Sequence, residues 1–309
     1  MAKRHLAAAR QATRQGTMDP HETPHRERLW TPWRMRYIGG GAREQGCIFC
    51  TRLARGNDVD SLILHRSDHA FAIMNLYPYN TGHVMVVPNR HEADLDQLDE
   101  ATQIDMATLL PKVLTALRSV LGCDGFNIGL NLGSVAGAGI ADHLHQHVVP
   151  RWEGDANFMP IIAGTMVIPE MIPSSYAKFR AELSRNLLGD ERFDIVVISD
   201  ADKPLVWLRN GHVPSIDAED EKPVWRTAVS SIATSGSEIV GWSGPASTTD
   251  RTSRPGLVIR VDDAPAGHGW RPASLEQLDH SPIELESADR ETIQRAVRQL
   301  APWIAGRNG

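Results

Sequence analysis

Three histidines alternate with other residues in the run His143-Leu144-His145-Gln146-His147, near the middle of the chain. In a β-strand, side chains two residues apart point to the same face, so a strand over 143–149 would align all three imidazoles. The following residues, Val148-Val149-Pro150, are typical of the end of a strand rather than a helix interior. Burying three imidazoles on one surface is costly without partners, so packing alone gives no reason for this run.

Two kinds of chemistry compete with the plain alternative of a polar strand face. A metal ion would take two or three of these histidines as ligands, whereas a phosphate site would use a neutral imidazole as a nucleophile. The small-residue loop at 131–139 precedes the run, and its glycines allow backbone N–H groups to approach an anion closely. Arg151 follows the run and adds a permanent positive charge. The loop and the arginine favour the phosphate site.

Three segments carry a family resemblance. The run at 142–151 resembles the signature of the histidine triad (HIT) nucleotide hydrolases and transferases, and the segment at 75–88 resembles the nucleotide-side strand, turn and strand of that family. The segment at 154–160, Gly-Asp-Ala-Asn-Phe-Met-Pro, resembles the tail of the dinucleoside polyphosphate phosphorylase branch. The resemblance covers roughly half of the chain and implies an α+β fold with a HIT-like antiparallel sheet.

The resemblance implies a role for each histidine of the site. His145 would attack the α-phosphorus and form a nucleotidyl-histidine intermediate, because a neutral imidazole with a pKa of about 6.5 has a free lone pair near pH 7. His147 would contact phosphate oxygens and assist the leaving group, and His83 matches the additional active-site histidine of the family. The nucleotide would be bound by Asn75, Asn131, Gly137, Gly139 and Arg151. Gly139 and Ile140 stand where the hydrolase branch carries a polar side chain, so the acceptor, phosphate or water, stays open.

The cysteines form a second constellation. Cys47 and Cys50 make a C-x-x-C pair, whose spacing fits either a redox pair or two ligands of a tetrahedral Zn²⁺. The resemblance implies a structural zinc held by this pair together with His91 and His143. The implied chemistry needs no catalytic metal in the protein, and Mg²⁺ can accompany the nucleotide.

Composition sets the broad class. A length of 309 residues favours two domains, and a net charge of −6 argues against a general nucleic-acid-binding role. Three cysteines indicate a reducing compartment, which predicts a cytoplasmic protein. No apolar run reaches the length of about 20 residues that a membrane-spanning helix needs.

The periodicity of apolar residues predicts the elements that hold these side chains. Residues 1–28 are basic and predicted to be disordered, and 29–190 would form the HIT domain, with a long helix from Asp99 to Leu121 crossing antiparallel strands. A separate small α/β domain of unrecognised fold is predicted over 191–309, where 222–234 and 288–304 have helical patterns.

These observations predict an enzyme that cleaves nucleoside 5′-phosphate derivatives such as diadenosine tetraphosphate, with phosphate or water as acceptor. A nucleoside phosphoramidase is one alternative. A nucleotide-sensing regulatory protein, in which the C-terminal region carries the role, is another. A multi-histidine oxygenase would require iron at the triad. Because family members usually dimerise, a homodimer is expected.

Overall fold

The structure is a computed structural model that describes residues 46–136, 138–155, 170–199, 205–232, 234, 236–274 and 285–304. The basic segment predicted to be disordered lies outside the described residues. Within these ranges, no helix combines the length and the apolar character that a membrane crossing requires.

The first sheet is antiparallel, with the strand order β1-β2-β3-β5-β4. Its strands are β1 (Ile63–Arg66), β2 (Ala70–Met74), β3 (Val84–Pro88), β4 (Gly125–Leu130) and β5 (Gln146–Arg151). Every residue of β2 and β3 is buried, so both faces of the sheet centre are covered. We call the side that carries Phe71, Ile73, Met85 and Val87 the front face, and the side that carries Ala72, Met74, Val84 and Val86 the back face.

Short helices precede the first sheet, and a long one crosses its back face. They are α1 (Ile48–Ala54), α2 (Asp58–Ser61) and α3 (Glu100–Leu121). Asp99 caps α3 by accepting a hydrogen bond from the Thr102 N–H, and Gly122 ends it in the left-handed conformation. Pro111 lies within this helix without ending it.

The second sheet has the order β11-β7-β6-β10-β9, with β8 paired to β6. Its strands are β6 (Arg192–Ser199), β7 (Leu205–Arg209), β8 (Ser215–Asp217), β9 (Glu238–Trp242), β10 (Gly256–Val261) and β11 (Trp270–Ser274). The pair β6–β10 is parallel and the other pairs are antiparallel. The predicted mixed class, a HIT-like sheet followed by a further sheet with helices, is confirmed.

Among the described residues, three further helices belong to the C-terminal half. They are α4 (Ile172–Leu188), α5 (Val224–Ser230) and α6 (Ser287–Ile304). The helix predicted over 222–234 is therefore shorter than expected, because Pro223 stands at its N-terminal boundary and its last turn closes at Ser231.

Both sheets belong to one compact unit, which contains the described residues 46–155 and those from 170 onward. Helix α4 contacts both β1 and β9, and one apolar cluster runs from the back face through α3 and α4 to the second sheet. The predicted division at residue 190 falls at Gly189, which caps α4 in the left-handed conformation. That residues 191–309 form a separate domain from 29–190 stays a prediction.

Two buried carboxylates join these parts. Asp58 is 0% exposed, and it accepts hydrogen bonds from Arg66 Nε at 2.7 Å and from the Thr248 N–H at 2.7 Å. Glu182 on α4 is also fully buried and accepts from Ser119, from Arg185 and from the Val224 N–H. Each carboxylate therefore has partners on both sides of the chain division, which stabilises the junction.

Gly82 connects the back face to the turn that precedes β3. Its φ of +76° lies in the left-handed region, where glycine is favoured. A Cβ at this position would lie 2.6 Å from Leu121 on α3 and 3.0 Å from Phe179 on α4. The two helices therefore approach the backbone at this turn too closely for any side chain.

Candidate functional site

His145 lies just before β5. The strand predicted over 143–149 was wrong at its start, since β5 begins at Gln146. The Leu144 N–H, which a strand would use in the ladder, instead donates to the carbonyl oxygen of Glu92 at 2.6 Å. The backbone is nevertheless extended enough that His145 and His147 meet, with ring centroids 4.8 Å apart.

The tautomer of His145 follows from its one backbone contact. Its Nδ1 lies 2.9 Å from the carbonyl oxygen of His143, which can only accept, so Nδ1 carries the proton. The Nε2 lone pair is then free, and none of the described residues hydrogen-bonds to this atom. The ring is only 6% exposed. A neutral imidazole held in this way is a suitable nucleophile.

A chain of hydrogen bonds fixes His83 and His147 in the same manner. The Tyr79 N–H donates to His83 Nδ1 at 3.0 Å, so in the neutral ring the proton is on Nε2. His83 Nε2 lies 3.0 Å from His147 Nδ1 and therefore donates to it. This leaves the His147 proton on Nε2, as required of a group that donates to a phosphate or a leaving oxygen.

Burial keeps His147 uncharged. Desolvation by burial is the main cause that lowers the pKa of His147 to about 4, and electrostatic coupling to the neighbouring His145 ring contributes less. The Tyr79 ring, which is 46% exposed, lies over the pair, with centroid distances of 4.8 Å to His83 and 5.7 Å to His147. At neutral pH His147 is therefore uncharged, and its proton lies on Nε2.

The predicted nucleotide-binding residues are held in different ways. Asn75 accepts from the Tyr77 N–H at 2.9 Å, and its amide nitrogen lies 3.2 Å from His83 Nδ1. The amide group of Asn131 is 3.5 Å from His147 Nε2, and Gly139 is exposed in the loop before the triad. Gly137 lies outside the described residues.

Arg151 lies on the front face beyond His147, but its guanidinium is already engaged. It bonds Asp155 through Nε at 2.6 Å and Nη2 at 2.5 Å, and Asn127 through Nη1 at 2.7 Å. The hydrogen bond from Arg151 lowers the pKa of Asp155 to about 2. Asn80, which the sequence analysis did not single out, donates to Asp155 and to the Pro150 carbonyl, each at 3.1 Å. The sequence does contain one indication of a role for Asn80, namely its position in the polar turn just before Gly82.

The predicted metal ligands form one cluster. The ligand atoms of Cys47, Cys50, His91 and His143 all lie within 4.8 Å of one another. The distances between sulfur and Nδ1 are 3.2 Å from Cys47 to His143, 3.4 Å from Cys50 to His91 and 3.6 Å from Cys50 to His143. Metal–ligand distances of about 2.0 to 2.3 Å give a tetrahedron whose edges are about 3.5 Å, so these donors fit a tetrahedral ion.

The second nitrogen of His143 supports this assignment. Its Nε2 donates to the carbonyl oxygen of Pro88 at 3.0 Å, so the Nδ1 lone pair points to the sulfurs. A ligating histidine typically donates its other N–H to a carbonyl or carboxylate in this way. Burial raises the pKa of the Cys50 thiol, and a bound cation would oppose that shift by stabilising the thiolate.

Comparison with known proteins places this geometry in context. The family model described as "HIT domain" matches residues 57–154. An "AP-4-A phosphorylase" of Mycobacterium tuberculosis is 38% identical over 167 residues, which cover 52% of this chain and 85% of that protein. An adenylylsulfatase of Arabidopsis thaliana is 30% identical over 112 residues, which cover 36% of this chain and 55% of that protein.

Among solved structures, a Zn-bound histidine triad family protein from Mycobacterium smegmatis has a TM-score of 0.38 and 27% identity. The match covers 47% of this chain and 98% of that one.

Proposed function

The chain belongs to the histidine triad (HIT) family of nucleotide-processing enzymes, near its diadenosine tetraphosphate phosphorylase branch, and on this basis we propose that it cleaves dinucleoside polyphosphates at the α-phosphorus. The observation that carries the proposal is the buried His145, whose Nδ1 lies within hydrogen-bond distance of the His143 carbonyl and whose Nε2 has no hydrogen-bond partner among the described residues. The similarity to the M. tuberculosis phosphorylase supports the class of substrate.

The reaction has two steps at His145. Its Nε2 lone pair forms a bond to the α-phosphorus, while the bond to the bridging oxygen breaks and its electron pair leaves with the polyphosphate. An oxygen of phosphate or water then attacks the same phosphorus on the opposite side, and Nε2 leaves. The neutral imidazole is restored at the end of each cycle.

His83 and His147 serve the leaving group. The Nε2–H of His147, set by the donation from His83 to Nδ1, is offered to the departing oxygen. Asn131 lies beside this atom, and the backbone N–H groups of the loop that contains Gly139 bind the phosphate oxygens. Asn75 and Arg151 belong to the nucleotide site, the former beside His83 and the latter oriented by Asp155.

The acceptor decides between two enzymes. We propose a phosphorylase, because the polar segment that begins at Gly154 resembles that branch. The test incubates the purified chain with diadenosine tetraphosphate, with and without inorganic phosphate, and resolves the products by anion-exchange chromatography. ADP and ATP formed only with phosphate are expected. AMP and ATP formed without phosphate would make the chain a hydrolase, and no turnover under either condition would contradict the proposal.

A nucleoside phosphoramidate is the control substrate for that last outcome. It is cleaved at the same phosphorus by the same nucleophile, but its leaving group is an amine. Turnover of the phosphoramidate alone would retain the role of His145 and replace the substrate class.

We also propose that the four-ligand cluster holds zinc. The two thiolates and two imidazoles match the donors that a closed structural zinc site uses, and such an ion would fix the N-terminal end of α1 to the sheet. Metal analysis of the purified protein tests this, with one zinc per chain as the expected result.

The proposed assembly is a homodimer. Strand β4 is at the edge of the first sheet, and Ile128 on it is 42% exposed. Ile104 on α3 is 55% exposed. An open edge with apolar side chains favours pairing with a second copy. Light scattering coupled to size exclusion would give twice the chain mass.

A further inference from the structure

We propose that the metal cluster positions the nucleophile: the peptide unit that orients His145 is fixed by metal ligands on both of its sides. This inference rests on the proposed function of His145. It goes beyond a structural zinc, because it predicts that loss of the metal changes the orientation of one catalytic side chain rather than only the stability of the fold.

The key element is the peptide between His143 and Leu144. Its carbonyl accepts the Nδ1 proton of His145 at 2.9 Å, and its N–H donates to the Glu92 carbonyl oxygen at 2.6 Å. The orientation of this peptide plane therefore sets the direction of the His143 carbonyl oxygen, which accepts the hydrogen bond from His145 Nδ1. If the plane rotates, Nδ1 loses its partner and either tautomer of His145 becomes accessible.

One anchor of this peptide, His143, is itself a candidate metal ligand, and the other, Glu92, is next to one. His143 supplies the carbonyl, and its own ring is held by Pro88 through Nε2 and faces Cys47 through Nδ1. Glu92, which holds the N–H, directly follows His91. His91 is exposed, so its position depends on the ion more than on packing. A bound metal thus fixes the peptide through His143 on one side and through His91 on the other.

Phe49 makes a third connection, through van der Waals contact. It lies between the two cysteines, is 2% exposed, and its ring centroid is 5.3 Å from that of His143 and 5.2 Å from that of His145. The conformation of the C-x-x-C turn therefore sets the position of a ring that packs on the nucleophile. Phe49 is a positioning residue and makes no bond to the substrate in this proposal.

The first test reads the tautomer of His145 directly. The full chain, labelled with ¹⁵N-histidine, is compared by NMR with zinc bound and after removal by a chelator, and the His145 signals are assigned by their loss in His145→Asn. We expect one Nδ1–H tautomer with zinc and a mixture without it, restored by zinc addition. The same single tautomer in both states would overturn the proposal, and this readout needs no turnover.

A second test keeps the metal in place. Phe49→Leu is compared with Phe71→Leu, since Phe71 is equally buried in the same apolar cluster and no ring contact with a histidine is found for it among the described residues. We expect Phe49→Leu to lower kcat about tenfold with KM changed less than about twofold and zinc content retained, while Phe71→Leu retains kcat. Equal losses of kcat in the two variants would contradict a positioning role.

A third test needs no metal-free protein and can be used if the chain unfolds without zinc. The chain is loaded with Co²⁺, and its visible absorption is recorded as AMP is added, because coupling between two sites must be reciprocal. We expect AMP to shift the cobalt bands. Calorimetry reports AMP binding separately: bound AMP with unchanged bands overturns the coupling, whereas absence of AMP binding contradicts the proposed function itself.

Discussion

His145 on the front side of the first sheet and Asp58 at its junction with the second sheet are both nearly inaccessible to solvent. They differ in how completely they are bonded. Both oxygens of Asp58 accept from cationic or backbone donors, whereas only one nitrogen of His145 has a partner among the described residues. A buried polar group whose hydrogen-bonding atoms all have partners stabilises the fold. A buried group with an unpaired hydrogen-bonding atom can bind a ligand.

The same contrast holds for the regions around them. The back face continues through α3 and α4 into one extended apolar cluster, while the front face has a small cluster around Phe49 and Phe71, bordered by histidines. Changes to front-face side chains that contact the histidines, as Phe49 does, are therefore expected to affect the chemistry. The back face is where changes act on stability.

The largest expected effect comes from removing the open nitrogen. His145→Asn should lower kcat with diadenosine tetraphosphate by at least about a thousandfold, because no other described group offers a nucleophile at this position. The melting temperature should change little. His212→Asn, at a half-exposed histidine of the second region, is the control and should retain activity. Substantial turnover by His145→Asn would refute the covalent mechanism.

Asp58→Ala should produce the opposite pattern. It leaves Arg66 and Arg180 without their buried carboxylate and removes the acceptor of the Thr248 N–H, which should reduce the free energy of unfolding by about 3 kcal/mol. The activity per folded molecule should be retained. Denaturant titration measures the loss, and Asp60→Ala, at an exposed position of the same helix, is the control. A small effect at Asp58 would mean that the two parts are joined only weakly.

His83 should show an intermediate effect on chemistry alone. His83→Phe removes the donor to His147 Nδ1, so the proton of His147 is no longer confined to Nε2. The loss of one hydrogen bond of about 1.4 kcal/mol corresponds to about a tenfold lower kcat. His83→Gln keeps an amide donor and should lose less. Equal losses in the two variants would argue against a tautomer-fixing role.

The smallest effect concerns acid stability. Burial, together with the charges of Arg180 and Lys112, lowers the pKa of His65 to about 4. Between pH 6.5 and 4 the unfolded chain takes up a proton at this residue and the folded chain does not, so stability falls as the pH falls. His65→Gln should make the decline of unfolding free energy over this range less steep. Identical pH dependence in both proteins would contradict the assignment.

The sequence predicts the residues of the site better than those of the junction between the two sheets. The triad, the C-x-x-C pair and His91 are recognisable because their chemistry requires particular residue types at fixed spacing, and the structure brings these side chains together. The predicted start of β5, at residue 143, was wrong by three residues. The Leu144 N–H donates to the carbonyl oxygen of Glu92 rather than to a neighbouring strand, and no local sequence pattern indicates this contact.

The carboxylates of the junction were not predictable. Asp58 and Glu182 lie in helices with ordinary polar patterns, and their decisive partners are far away along the chain: Thr248 is 190 residues from Asp58, and Ser119 is 63 residues from Glu182. Burial of a charge depends on such long-range contacts. Periodicity within a helix contains no record of them.

Gly82 has a consequence for how freely this protein can diverge. The turn it forms lies directly before His83, while the space a side chain would need is filled by Leu121 and Phe179. A larger residue at 82 would displace the histidine on one side and separate two helices on the other. Mutational tolerance at this position is therefore expected to be lower than at either neighbour, because one atom of added volume alters catalysis and folding together.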